Sequence, residues 1–257
     1  MRPSIRRTKA GFTLVELLVV IVIIGILASL ITGAAIGVRI LVLRAGIKND
    51  ITQMQLALEQ YKSENGEYPP DFAGAAAGDT AAQQAVLRHV RKRFPKYNAT
   101  GGWDDFCADC INGGKAVGDP SDPTTFQIGP ANALLFWLSP FSSDDRNPFD
   151  VGGSMTKAYF EFDEDRITTD VNGNYIFMSS APTPSPYVYF VSRSGKYDDT
   201  IQYVDFTSAD GGVAVPYQTS AGKWGNTETC QILSAGLDGD YGPMVDADSD
   251  GVPDGTK

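Results

Sequence analysis

Twenty-seven consecutive residues, Phe12 to Val38 (FTLVELLVVIVIIGILASLITGAAIGV), contain a single charge, Glu16. No other feature restricts the folding of this chain as much. As an α-helix the run is about 40 Å long and exceeds a hydrocarbon core of about 30 Å. A secretory signal has a shorter apolar core and ends in a small-x-small cleavage site, which this run lacks. A buried core helix would not explain the basic tip formed by Arg2, Arg6, Arg7 and Lys9. Those charges predict a cytoplasmic amino terminus and an exported remainder. The exported part is acidic, because the whole chain has a formal charge of -10 despite the basic tip. That balance excludes the basic stripe of a nucleic-acid binder.

Glu16 needs a reason to stand where it does. A carboxylate in a membrane helix costs about 2.5–3.5 kcal/mol on insertion scales, so it requires a partner or a task. No Lys or Arg follows within a helical turn. A cut between Gly11 and Phe12 would place a new α-ammonium at the apolar boundary and remove the basic tip. Gly25, Ser29, Gly33 and Gly37 recur every four residues, a small-xxx-small ladder that lets helices approach closely.

The string KAGFTLVELLVVIVIIGILASL resembles, almost residue for residue, the cleavage and methylation signal of type IV pilins and pseudopilins. The resemblance implies removal of a leader, residues 1–11, by a prepilin peptidase and N-methylation of Phe12. It also implies that Glu16 neutralises the Phe12 terminus of a neighbouring subunit during filament assembly.

The helix is expected to continue past the apolar segment, with residues 39–65 as its outer half. Leu43, Ile47, Ile51, Met54, Leu58 and Tyr61 fall at three- and four-residue steps and define one apolar face. Asn65-Gly66 and Tyr68-Pro69-Pro70 end it. The segment LALEQYKSENGEYPPD is similar to the helix exit of major pseudopilins, at Tyr61, Asn65, Gly66, Tyr68 and Pro69. Residues 66–150 are longer than that family implies and read as a variable insertion, with a basic helix near 81–94 and a buried helix over 132–138. From 151 to 257 the texture turns β. Tyr159-Phe-Glu-Phe, Tyr175-Ile-Phe-Met, Tyr187-Val-Tyr-Phe-Val and Tyr203-Val-Asp-Phe are short strand candidates separated by turn clusters. The predicted class is α+β, with a long amino-terminal transmembrane helix packed against a carboxy-terminal antiparallel sheet, as the resemblance also implies.

The tail carries the best ligand signal. Asp238 and Asp240, then Asp246, Asp248, Asp250 and Asp254, set hard oxygens at alternating positions before a glycine, which suits Ca²⁺. Lys257 stands where an EF-hand would place its bidentate glutamate. The string SAGLDGDYG resembles the carboxy-terminal loop of major pseudopilins, where calcium fastens the tail to the sheet. Cys107, Cys110 and Cys230 are disulfide candidates in an exported domain, with one thiol left over. With His89 they form the set a Cys₃His zinc site would need. A redox CxxC lacks its βαβ context, and His89 has no G-x-S-x-G elbow to serve. No enzyme is expected.

The resemblance implies a structural subunit of a type II secretion filament, driving protein export. Its partners would be other copies, other pseudopilins, the prepilin peptidase, an inner-membrane assembly platform and a separate assembly ATPase. The protein would sit single-pass in the bacterial inner membrane with a periplasmic domain, then in a periplasmic or surface filament. Two alternatives share the signal. One is a type IV pilin or minor pilin for adhesion, motility or DNA uptake, and only in that last role would it meet nucleic acid. The other is a monomeric membrane-anchored binding module.

Overall fold

A computed structural model describes residues 12–98, 100–193, 195–197, 203–204, 213–220, 223–239 and 241. The chain divides into two compact units, Met1–Leu43 and Arg44–Lys257. One helix, α1 (Leu14–Asn65), supplies residues to both.

In the first unit α1 begins on a capping box. The Thr13 hydroxyl accepts from the Glu16 N–H at 3.2 Å, while the Thr13 N–H donates to the Glu16 carboxylate at 2.8 Å. From Leu14 to Leu27 every large apolar side chain is exposed. A helix apolar on all sides must be covered by something other than water. Among the described residues no helix is long and apolar enough to cross a membrane. The span expected over residues 12–38 is therefore not carried by the described residues alone.

In the second unit the outer part of α1 buries Ile47, Met54, Ala57, Leu58 and Tyr61, with Ile51 packed beside them. Gln53, Gln55, Leu56, Glu59 and Gln60 stay exposed, which is the partition the apolar spacing predicts. The helix stops at Gly66, whose φ of 79° is a left-handed conformation open to glycine. Its N–H donates to the Lys62 carbonyl at 2.7 Å. The exit is then pinned: Trp137 Nε1 donates to the Pro70 carbonyl and the Tyr189 hydroxyl to that of Pro69, each at 2.8 Å.

Three more helices follow: α2 (Thr80–Arg93), α3 (Trp103–Asn112) and α4 (Pro130–Leu138). The Asp79 carboxylate caps α2 through the Ala81 N–H, and Pro130 opens α4 with its fixed φ. The helices expected near 81–94 and 132–138 are thus present. Helix α3 is additional, although Trp103, Phe106, Cys107 and Cys110 have helical spacing in the sequence. Residues 66–150 do not form a satellite: Phe72, Val86, Phe106 and Trp137 belong to the same core cluster as Leu58, Tyr61 and Tyr189.

The strands are β1 (Ile167–Thr169), β2 (Tyr175–Phe177), β3 (Val188–Val191), β4 (Tyr203–Val204), β5 (Val213–Ala214), β6 (Gln218–Ser220), β7 (Lys223–Trp224) and β8 (Cys230–Leu233). They pair antiparallel as β1–β2, β3–β8, β4–β5 and β6–β7. The expected sheet is therefore a set of small antiparallel ladders among the described residues. A bridge between Met178 and Pro186 ties β2 to the approach of β3. The strand expected at Tyr159–Phe162 is not formed. Its backbone is taken by the end of α4, where the Leu138 carbonyl accepts from the Tyr159 and Phe160 N–H groups at 2.9 and 3.3 Å. Phe160 and Phe162 instead pack edge-on against Phe177. Asp50 of α1 accepts from Arg166 Nη2 at 2.7 Å and from the Tyr187 hydroxyl at 2.8 Å, holding the helix to the β region.

Candidate functional site

The site that the sequence singles out is the start of α1. Glu16 is exposed, and one carboxylate oxygen, Oε2, accepts both the Thr13 N–H at 2.8 Å and the Thr13 hydroxyl at 2.7 Å. The T-L-V-E tetrad thus gives the carboxylate a local task, satisfying an amide at the helix start. Its other oxygen has no hydrogen-bond partner among the described residues, and the side chain of Phe12 is 77% exposed. A carboxylate and an apolar ring therefore both face outward in the single chain. A Cβ added at Gly25 or Gly37 would meet nothing within 4 Å, and the Ser29 hydroxyl donates back to the Ile26 carbonyl. The small-residue ladder is open at those positions. Gly11 and the surroundings of Gly33 lie outside the described residues.

At the other end of the chain only Asp238 of the six tail aspartates is described. It is exposed on a turn after β8, between Gly236 and Gly239, both at positive φ. Gly239 is required there, because a Cβ would come within 2.5 Å of the Thr183 side chain. A hard, exposed carboxylate on a fixed turn fits a calcium ligand in kind. Asp240, Asp246, Asp248, Asp250 and Asp254 lie outside the described residues. Among the described ones no group of three or more His, Cys, Asp or Glu is close enough to hold a metal. His89, Cys107, Cys110 and Cys230 are all described, so the Cys₃His set is not brought together.

The three thiols are free and buried. Burial pushes Cys107 and Cys230 up to about 12 and raises Cys110 as well, so all remain protonated at neutral pH. His89 sits between two partners. Its Nε2 lies 2.6 Å from the Tyr61 hydroxyl and its Nδ1 2.9 Å from the Glu67 carboxylate. This chain of hydrogen bonds has no local sequence signature; it joins α1, α2 and the loop after α1. Tyr61 is fully buried, so the arrangement presents no nucleophile to a substrate. Burial pulls His89 down to about 4, and it is neutral at pH 7.

Comparison with known proteins bears on the same amino-terminal region. Residues 6–32 match the family described as the prokaryotic N-terminal methylation motif. The chain thus opens with the prepilin-type segment that its helix start and exposed apolar helix define. More particularly, that region is similar to type II secretion system core protein G. The protein of that name from Klebsiella michiganensis is 42% identical over 72 residues, 28% of this chain and 51% of the relative. Its Vibrio cholerae counterpart is 36% identical over 95 residues, 35% of this chain and 65% of the relative. The Escherichia coli protein is 44% identical over 66 residues, 26% and 46% of the two chains. This chain spans about half the length of most of the curated relatives it matches. No solved structure matches it.

Proposed function

We propose that this protein is a pseudopilin, a structural subunit of a type II secretion filament. The observation that carries the reading is the methylation motif over residues 6–32 heading a helix whose large apolar side chains, from Leu14 to Leu27, are all exposed. The precursor inserts single-pass in the bacterial inner membrane through residues 12–38, with its amino terminus cytoplasmic and its globular unit periplasmic. A prepilin peptidase cuts between Gly11 and Phe12 and methylates the Phe12 amine. Packing of the helices along Gly25, Ser29, Gly33 and Gly37 then builds a filament with other copies and other pseudopilins. Glu16, already half-committed to Thr13, offers its remaining oxygen to the Phe12 ammonium of a neighbour. The role is structural rather than enzymatic. An assembly platform and a separate ATPase supply the site and the work of polymerisation. Calcium held by Asp238, Asp240 and the aspartates from Asp246 to Asp254 fastens the tail.

Mass spectrometry of the chain purified from cells containing a prepilin peptidase tests the reading. A mature, methylated amino terminus at Phe12 and recovery of the chain in sheared filaments are the expected results. A chain that keeps Met1 and never polymerises overturns it.

A further inference from the structure

Beside α4 lies a cavity of about 300 Å³ whose walls include Ile128, Leu135, Phe136 and Pro140. Its rim is formed by Val151, Met155 and Tyr175, which are 45%, 36% and 51% exposed. Lys115, just beyond α3, lines the same space. Its Nζ donates to the Ser139 hydroxyl oxygen at 2.7 Å and to the Phe136 carbonyl at 3.2 Å, and both of those residues also face the cavity. The amine stands 4.0 Å from the centroid of the Phe141 ring. Among the described residues no carboxylate is within ion-pair distance of it. The titratable groups that act on it are Cys110 and Arg93, neither of them an acid with a charge to offer at neutral pH.

A lysine with an acid partner is a solvated or paired ammonium and a poor nucleophile. A lysine buried in an apolar wall, with no acid partner and under the repulsion of a second cation, is pushed toward its neutral form because burial penalises its charge. We propose that Lys115 is a reactive amine at the wall of this cavity, a covalent site for small aldehydes or ketones with an apolar body. The amine lone pair adds to the carbonyl carbon. The carbinolamine then expels water, which takes the carbonyl oxygen and both amine hydrogens, and leaves an imine between Nζ and the ligand. No electrons are exchanged, and the Ser139 hydroxyl is placed to pass a proton to the departing oxygen. Burial pulls the amine down to about 7, which supplies the lone pair at neutral pH.

The full chain in detergent micelles, given limiting benzaldehyde with cyanoborohydride at pH 7 and mapped by peptide mass spectrometry, tests this. Lys115 is expected to be benzylated at least ~10-fold faster than exposed Lys96 and Lys157. Equal or slower labelling overturns the site. Competitive acetylation with acetic anhydride gives a second reading: the Lys115 rate should level off above about pH 8. A Lys115 rate that still climbs toward about pH 10 overturns the proposal. Met155→Trp closes the rim without touching the core and should slow benzylation of Lys115 alone; unchanged benzylation removes the cavity from the account. None of these results depends on filament assembly.

Discussion

His89 shows what a single residue does when burial outweighs its partners. It is the one histidine in the chain, and the sequence supplied no partner for it. Tyr61 reads as a position on the apolar stripe of α1, and Glu67 as part of a helix stop. Their meeting at His89 is a consequence of packing that local patterns do not encode. Burial holds His89 near 4, below its usual 6.5, so the unfolded chain takes up a proton between those values that the folded chain refuses. The contribution is fully present above pH 6.5 and is lost as pH falls toward 4, by about 3 kcal/mol. Glu67 is held below the usual carboxylate range by His89 despite its own burial, and its contribution falls away in still more acid solution. Urea midpoints at pH 7, 5.5 and 4 should decline accordingly for a chain starting at Arg44. His89→Gln should flatten that decline between pH 6.5 and 4. A variant as acid-sensitive as the parent would mean that His89 is not the responsible group.

At the scale of elements, helix α1 was legible because three independent signals agree on it: a long apolar run, an apolar stripe and a glycine-proline stop. Helix α3 carried its i, i+3, i+4, i+7 pattern from Trp103 to Cys110, but flanking glycines and aspartates hid it. The strand expected at Tyr159–Phe162 had the right alternation, yet its amides went to the Leu138 carbonyl, a choice made by tertiary position. The pairing of β3 with β8 joins residues 39 to 45 positions apart and has no local signature. The capping tetrad makes a sharp prediction because Glu16 is asked to do two things. Glu16→Gln keeps an oxygen for the Thr13 amide but removes the charge, whereas Thr13→Ala removes the cap at a cost of about 1 kcal/mol and keeps the charge. Amide exchange over residues 13–17 in micelles should therefore be near normal for Glu16→Gln and faster for Thr13→Ala. Filament yield should show the reverse order, nearly abolished by Glu16→Gln and only reduced by Thr13→Ala. Abundant filaments from Glu16→Gln would leave Glu16 a cap and nothing more.

On the scale of the whole molecule, two features bear on how distant parts of the chain are held: the calcium proposed for the tail and an aromatic core that the structure shows. Calcium on the tail aspartates, if it binds the folded state alone, stabilises by about 2.7 kcal/mol at a hundredfold excess over its dissociation constant. Chelation should lower the melting temperature of the parent and leave Asp248→Asn little changed; a parent indifferent to chelator would exclude a structural ion. The second feature is the aromatic core shared by residues 66–150 and the rest of the Arg44–Lys257 unit. Phe106 of α3 is fully buried, with its ring 5.6 Å from that of Phe126 and 5.3 Å from that of Phe149. Phe126 in turn meets Phe72, which stacks on Trp137 at 5.4 Å, and Trp137 meets Tyr61 of α1 edge-on at 6.4 Å. A length of chain that looks like an insertion is thereby continuous with the long helix. Phe106→Ala should cost about 3–5 kcal/mol, the usual range for emptying so large a site. If the core is one cooperative body, that loss reaches amides far from α3. Hydrogen exchange at Leu58, Val90 and Tyr189 should accelerate together and by similar factors. Acceleration confined to residues 103–112, with Leu58 and Tyr189 unmoved, would mean that the segment folds apart and that the shared core does not bind it to the helix.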